Sequence, residues 1–194
     1  MNKLDISIKN KIKPQRGRLL LSEPFLVDDF FSRSVVMLCE NGPEGSFGFV
    51  LNNYTDISFS DINPNFPNIS LKISLGGPVK PEHLYFIHTL DNEEFGGQKI
   101  QDEIFLGGNF EKVLSLIQED RSILEQIRFF LGYSGWTSGQ LEDEIEEKSW
   151  LVIPMPEPAY IMDTARENIW NDMMQSQGGI YKLMSKFPLD PRMN

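Results

Sequence analysis

The sequence predicts an α+β domain built on a mixed sheet, and three observations predict it. Apolar runs of strand length, punctuated by glycine, proline and asparagine, fill the first two thirds of the chain. Helical spacing of apolar residues appears later, behind Asn109 and between Thr164 and Gln177. Of 194 residues 40% are hydrophobic and 24% charged, the balance of a single globule with its own core.

Residues 1–16 are polar and basic, with Lys3, Lys9, Lys11, Lys13 and Arg16, and read as a flexible tail. Order is expected from Gly17 to residue 187, with a second tail over 188–194. Leu19-Leu20-Leu21 is a short buried strand closed by Ser22-Glu23-Pro24, and Phe25 to Ser32 is a loop or short helical turn. Val35 to Cys39 is apolar without alternation, as in a strand covered on both faces. The turn residues Glu40 to Gly45 send it back as Phe47 to Leu51, so residues 35–51 form a hairpin. Gly48 inside it marks a bulge or the close approach of another backbone.

Asn52 to Asn68 is a polar excursion with one helical turn. Ile69 to Leu75 alternates and stops at Gly76-Gly77-Pro78, and Leu84 to Leu90 is the next strand. Asp91 to Gln98 is a polar loop, and Ile104-Phe105-Leu106 a strand ending at Gly107-Gly108. Asn109 caps a helix whose apolar face is Phe110, Val113, Leu114 and Ile117. Ile127 to Tyr133 is a strand running into a glycine-rich corner around Trp136. Leu141 and Ile145 face inward from a short helix with Glu142, Asp143, Glu144, Glu146 and Glu147 on its wet side. Trp150 to Ile153 is a strand stopped by Pro154, and the last helix, Thr164 to Gln177, closes at Gly178-Gly179 with a short tail behind it.

Charge and cysteine usage bound the function. Lys and Arg number 18 against 28 Asp and Glu, a net −10 that opposes phosphate backbones and disfavours direct nucleic-acid binding. The single cysteine, Cys39, excludes an intrachain disulfide and suits a reducing cytoplasm. No signal-like apolar segment and no run of membrane-spanning length is present, so a cytoplasmic chain without a membrane partner is expected. Neither a phosphate-binding loop nor a metal-ligand spacing occurs, and no cofactor or metal is expected.

Gly132-Tyr133-Ser134-Gly135 supplies four positions of a nucleophile elbow, but Trp136 stands where the final glycine belongs. The available bases, His83 and His88, both precede Ser134, so a hydrolase or transferase using Ser134 is the alternative rather than the leading reading. The two histidines are five apart on a strand and point to opposite faces, which does not make a metal site. Cys39 lies in an apolar strand as a small hydrophobe. Arg33 and Asp28 flank Phe30 and Phe31, an arrangement that suits a loop-fixing ion pair. The candidate binding residues are Arg33, Tyr133, Ser134, Gly135, Trp136 and Gln140, with an unknown protein or small-molecule ligand as partner and no catalytic residue assigned.

Three segments carry a family resemblance. They are Gly17-Arg18-Leu19-Leu20-Leu21-Ser22-Glu23-Pro24-Phe25-Leu26 with Asp28, Phe31 and Arg33; Glu44 to Asn52 followed by Gly76-Gly77-Pro78-Val79; and Gly132 to Trp136 with Gly139-Gln140-Leu141-Glu142 and Trp150. In that order and spacing the chain resembles the AlgH/YqgE family of bacterial proteins. The resemblance implies a barrel-like or bifurcated sheet wrapped by helices. It implies no enzyme activity, since the family has no agreed catalytic motif; some members are described as transcriptional regulators on genetic grounds.

Overall fold

Apolar runs without a polar face become strands buried on both sides. A computed structural model describes residues 7–67, 69 and 71–188, and shows a ten-stranded sheet that stays open and is flanked by helices. The strands are β1 (Arg18–Ser22), β2 (Val35–Gly42), β3 (Gly45–Val50), β4 (Tyr54–Thr55), β5 (Ile73–Leu75), β6 (Val79–His88), β7 (Gln98–Gln101), β8 (Ile104–Leu106), β9 (Ile127–Thr137) and β10 (Trp150–Pro154). Their order is β10-β1-β2-β3-β9-β6-β8-β7, antiparallel along that path, while β5 joins β9 in parallel and carries β4. The expected hairpin is β2–β3. Its ladder slips between Leu38 and Glu40, and a Cβ at Gly48 would collide with the Met37 carbonyl, so bulge and close approach occur together.

Side-chain alternation divides the core into three clusters, with the sheet as the septum. Leu19, Leu21, Met37, Phe49, Phe130, Leu151 and Ile153 face a central cluster. Leu20, Val36, Leu38, Trp150 and Val152, on the same strands, face the opposite side with Trp136. Ile127, Phe129 and Leu131 of β9 belong to a third cluster, with Phe59, Val113 and Ile117. That third cluster is roofed by α1 (Phe59–Ile62), α2 (Asn92–Phe95) and α3 (Phe110–Glu119); α3 starts as expected, with the Asn109 side chain accepting from the Lys112 amide. The short α4 (Gln140–Glu146) covers the tryptophan side.

The bifurcation has a specific cause. Strand β9 pairs with β3 through Ser134 to Thr137, but with β5 through Phe130 and Leu131. Gly76 fills the fork: its amide donates to Leu131 O at 2.7 Å and its carbonyl accepts from Val50 N at 2.9 Å. A Cβ on Gly76 would lie 2.8 Å from Phe49 Cδ1, and one on Gly77 would overlap the Tyr133–Ser134 peptide. On the other edge of β9, the pairs Val79–Tyr133 and Leu84–Leu131 leave Lys80, Pro81, Glu82 and His83 looped out of β6. Gly132 faces that bulge at φ 66°, and a Cβ there would sit 3.1 Å from Pro81 Cα.

Several expectations are corrected. The corner at Gly132–Trp136 stays within strand β9 through Thr137, with its one departure from extended backbone at Gly132, because β6 pairs with Tyr133 and β3 with Ser134 to Thr137; the chain leaves the sheet later, at Gly139 with φ 79°. The basic segment does not run free from residue 7 to 16. Ile8 is 1% exposed in the central cluster, and Asn10 brackets the outer edge of β10, donating to Trp150 O at 2.8 Å and accepting from Val152 N at 2.5 Å. An edge strand with open peptide groups is thereby covered. Lys3 and the rest of residues 1–6 lie outside the described residues, as does 189–194 of the expected second tail. The helix expected over Thr164–Gln177 is shorter, α6 (Ile169–Ser176), because the Asp163 carboxylate accepts from the Ala165 amide and starts a turn there, and Pro158 begins a separate α5 (Pro158–Met162) ahead of it. Behind Gly178 the chain forms α7 (Gly179–Met184) instead of a tail, with Met184 buried in the central cluster. The polar stretch Gln98–Gln101 is strand β7.

The fork predicts a sharp contrast between two glycines. Gly77→Ala should lose about 3 kcal/mol, roughly 6–12 °C of Tm, because backbone has to move. Gly42→Ala, with open space around it, should stay within about 0.5 kcal/mol of wild type. Thermal unfolding of both variants checks this, and equal melting temperatures would refute the plug.

Candidate functional site

Alternation along the far half of β9 sends Tyr133 and Gly135 to one face and Ser134 and Trp136 to the other. The two faces do different jobs. Trp136 is buried, and its Nε1 donates to Glu144 Oε2 at 2.8 Å. The Nε1 of Trp150 donates to the same oxygen at 2.7 Å. The other carboxylate oxygen accepts from Gln140 Nε2 at 3.0 Å, and Gln140 Oε1 in turn accepts from the Thr137 amide at 3.0 Å. Phe31 completes the cluster, its ring 5.6 Å from Trp150 and 6.4 Å from Trp136. The indole is therefore a structural anchor, held by one half-buried carboxylate on α4. Sequence reasoning placed Glu144 on the wet face. Its one distinguishing signal was the i, i+4 spacing from Gln140.

Ser134 is 0% exposed, and its hydroxyl donates to Gly76 O at 3.0 Å. That bond ties the fork, and the hydroxyl that the nucleophile alternative needs has no exposed surface. Neither histidine serves it. His88 pairs with Ile127 near the opposite end of β9, buried between Phe86 and Phe105, with Nε2 bonded to Gly96 O at 2.9 Å. Burial depresses its pKa, and bonds to backbone groups only partly offset this. His83 is exposed on the β6 bulge, 3.6 Å from Glu82.

The face carrying Tyr133 opens onto a groove of about 640 Å³ between β3, β6 and β9. Phe47, Tyr85 and Tyr133 form its floor. Tyr133 stands edge-on to both neighbours, 5.9 Å from each, and Phe49 supports Tyr85 from below at 5.6 Å. Gly135 leaves space for the Tyr133 ring, since a Cβ there would be 3.1 Å from Tyr133 Cε2. Val79, Lys80, Glu40 and Glu44 line the rim. Among the described residues, neither phenol hydroxyl is hydrogen-bonded to another protein group. Burial, then Tyr133 and Glu82 nearby, hold the Tyr85 phenol above its ordinary pKa, so it is a donor at neutral pH. Lys80 adopts φ 48° on the bulge, an uncommon conformation for a residue with a side chain.

The chain matches the family model described as DUF179, AlgH-like, over residues 19–182. It belongs to the AlgH-like family. A UPF0301 protein of Parabacteroides distasonis is 42% identical over 189 residues, covering 95% of this chain and 94% of that relative. One from Cytophaga hutchinsonii is 39% identical over 181 residues, covering 92% and 98%. Among solved structures, protein DIP2367 of Corynebacterium diphtheriae superposes with a TM-score of 0.75 at 23% identity, covering 93% of this chain and 95% of that one. The solution structure of AlgH from Pseudomonas aeruginosa gives 0.68 at 22% identity, covering 92% and 97%. These structures establish the AlgH-like fold.

Of the expected binding residues, Tyr133, Gly135 and Trp136 border the groove, whereas Ser134 and Gln140 do not. Arg33 is elsewhere too. It lies 5.0 Å over the Trp170 ring and donates to the Phe187 carbonyl, pinning the C-terminal helices to β1 and β2. Its expected partner Asp28 instead accepts from the amides of Phe30 and Phe31, so that ion pair does not form. Sequence reasoning also missed Arg128, a lone cation in the apolar β9 run. It is 1% exposed and donates to Ile161 O, Leu51 O, Tyr54 Oη and Ser74 Oγ, stitching β9 to β4, β5 and α5. No helix among the described residues is long and apolar enough to cross a membrane.

Two measurements test the division between the faces. Glu144→Ala leaves both indole N–H groups without their acceptor and should cost about 2 kcal/mol in urea unfolding followed by tryptophan fluorescence. Ser134→Ala should lose about 1 kcal/mol, and fluorophosphonate probes should leave native Ser134 unlabelled; stoichiometric labelling would restore it as a nucleophile.

Proposed function

We propose that this AlgH-like protein is a non-enzymatic binding protein, with a regulatory role exercised through a ligand or protein partner seated in the groove between β3, β6 and β9. One observation carries the reading. Three aromatic side chains form an open floor, and among the described residues neither of the two phenols there is hydrogen-bonded to a protein group. Pockets of this size, mostly apolar with a few convergent polar groups, are where small ligands and peptide segments bind. The reactive-looking serine is committed to the fold, so chemistry has no support from that residue. Net charge −10 favours a protein or small-molecule partner over nucleic acid, and the buried free thiol of Cys39 suits a cytoplasmic protein.

Trp136→Ala is a poor probe, because the indole holds α4. The better variant is Tyr85→Phe/Tyr133→Phe, which removes both hydroxyls and leaves the rings. In a fragment screen by ¹H–¹⁵N NMR, shifts should cluster on the amides of Phe47, Val79, Gly135 and Thr137. The double variant should weaken those hits at least about threefold, as expected for a lost hydrogen bond. Hits scattered over other surfaces, or unmoved by the variant, would refute the groove as the binding site.

A further inference from the structure

Resting on that reading, we propose that the groove receives an extended basic segment of a partner protein, with an arginine or lysine side chain laid across the aromatic floor.

Charge and shape together select the occupant. Glu40, near the end of the β2 ladder before Gly42, and Glu44, in the β2–β3 turn, line the groove and are exposed. Glu82 stands on the β6 bulge close enough to Tyr85 to act on its phenol. Against these carboxylates the lining offers Lys80 as its cation. The approach is acidic as well. The Ser138 hydroxyl donates to Pro43 O at 2.7 Å and ties the β2–β3 turn that carries Glu44 to the segment leading into α4, whose Glu142, Asp143, Glu146 and Glu147 are exposed. A cationic chain is drawn towards such a field, whereas an anionic one is repelled.

The floor selects what kind of cation. Phe47, Tyr85 and Tyr133 present ring surface rather than a carboxylate cage, so a small hydrated ion gains little there. An arginine or lysine buries its methylene stem on the rings, gains cation–π attraction, and reaches the glutamates with its head. A volume of about 640 Å³ exceeds one side chain and accommodates several residues. Flanking peptide carbonyls would find donors in the two phenols and in Lys80. This combination fits a peptide better than a free amine.

Three fluorescein-labelled nonapeptides of Gly and Ala, identical except for a central pair of Arg, norleucine or Glu residues, test the proposal against the full chain. Anisotropy gives affinity, and ¹H–¹⁵N NMR locates the contact. The Arg peptide should move the Phe47, Val79, Gly135 and Thr137 amides and bind at least about fivefold tighter than the norleucine peptide. The preference should vanish in about 0.5 M NaCl. Glu40→Gln/Glu44→Gln, at exposed positions outside the core, should erase the preference for Arg, and Tyr133→Leu should weaken all binding at the groove. Equal binding of the norleucine or Glu peptide there would overturn the basic partner while leaving the groove reading intact. Arg-peptide shifts confined to α4 and insensitive to Tyr133→Leu would overturn the proposal as mere surface attraction. If no peptide moves the groove amides, the proposal fails; if fragments fail too, the binding site falls with it.

Discussion

The edge of β9 between Phe130 and Ser134 has to accept two neighbours at once, and the peptide of Gly76-Gly77 is what makes this possible. A strand edge offers a single ladder of donors and acceptors, so β3 and β5 must divide it. At the division something has to satisfy both the Leu131 carbonyl and the Val50 amide without side-chain volume, and Gly76 does so with its backbone alone. Ser134 then spends its hydroxyl on the Gly76 carbonyl. The groove is a product of this arrangement. Because β9 is paired as a strand beyond Gly132, Tyr133 and Gly135 point outward while Ser134 and Trp136 point inward.

Much of the scaffold is legible in the sequence because its signals are local. Unbroken apolar runs announce strands buried on both faces, as in Val35–Cys39, and Asn109 announces a helix start that the Lys112 amide confirms. Gly48 was readable as a close-approach position because glycine inside a strand has few other uses. What the sequence hides is whatever depends on a partner far along the chain. Gly132 to Trp136 looks like a bend by composition, yet strands on both sides keep it within the sheet, with only Gly132 leaving extended backbone. Residues 7–16 look like a tail until Asn10 meets the edge of β10, 140 residues away.

The candidate site divides in the same manner. Aromatic and glycine content pointed to the right strand, but not to which residues face out. Alternation alone would have separated Tyr133 and Gly135 from Ser134 and Trp136, had the stretch been read as strand. Tyr85, Phe47 and Lys80 reach the groove from other strands and carry no shared motif. Glu144 and Arg128 are ordinary charged residues in sequence. Their importance lies in what surrounds them: indole donors for one, backbone carbonyls for the other.

The placement of β9 also constrains how the chain acquires its structure. Its partners β3, β5 and β6 all precede it by dozens of residues, and β1 completes its pairing only with β10. During synthesis β1 and the hairpin β2–β3 can pair early, yet the open edge of β3 has no partner until β9 has left the ribosome. Contacts so distant in sequence make for slow, late closure. For most of its translation the chain therefore carries exposed, strand-prone segments, the condition under which association between chains competes with folding.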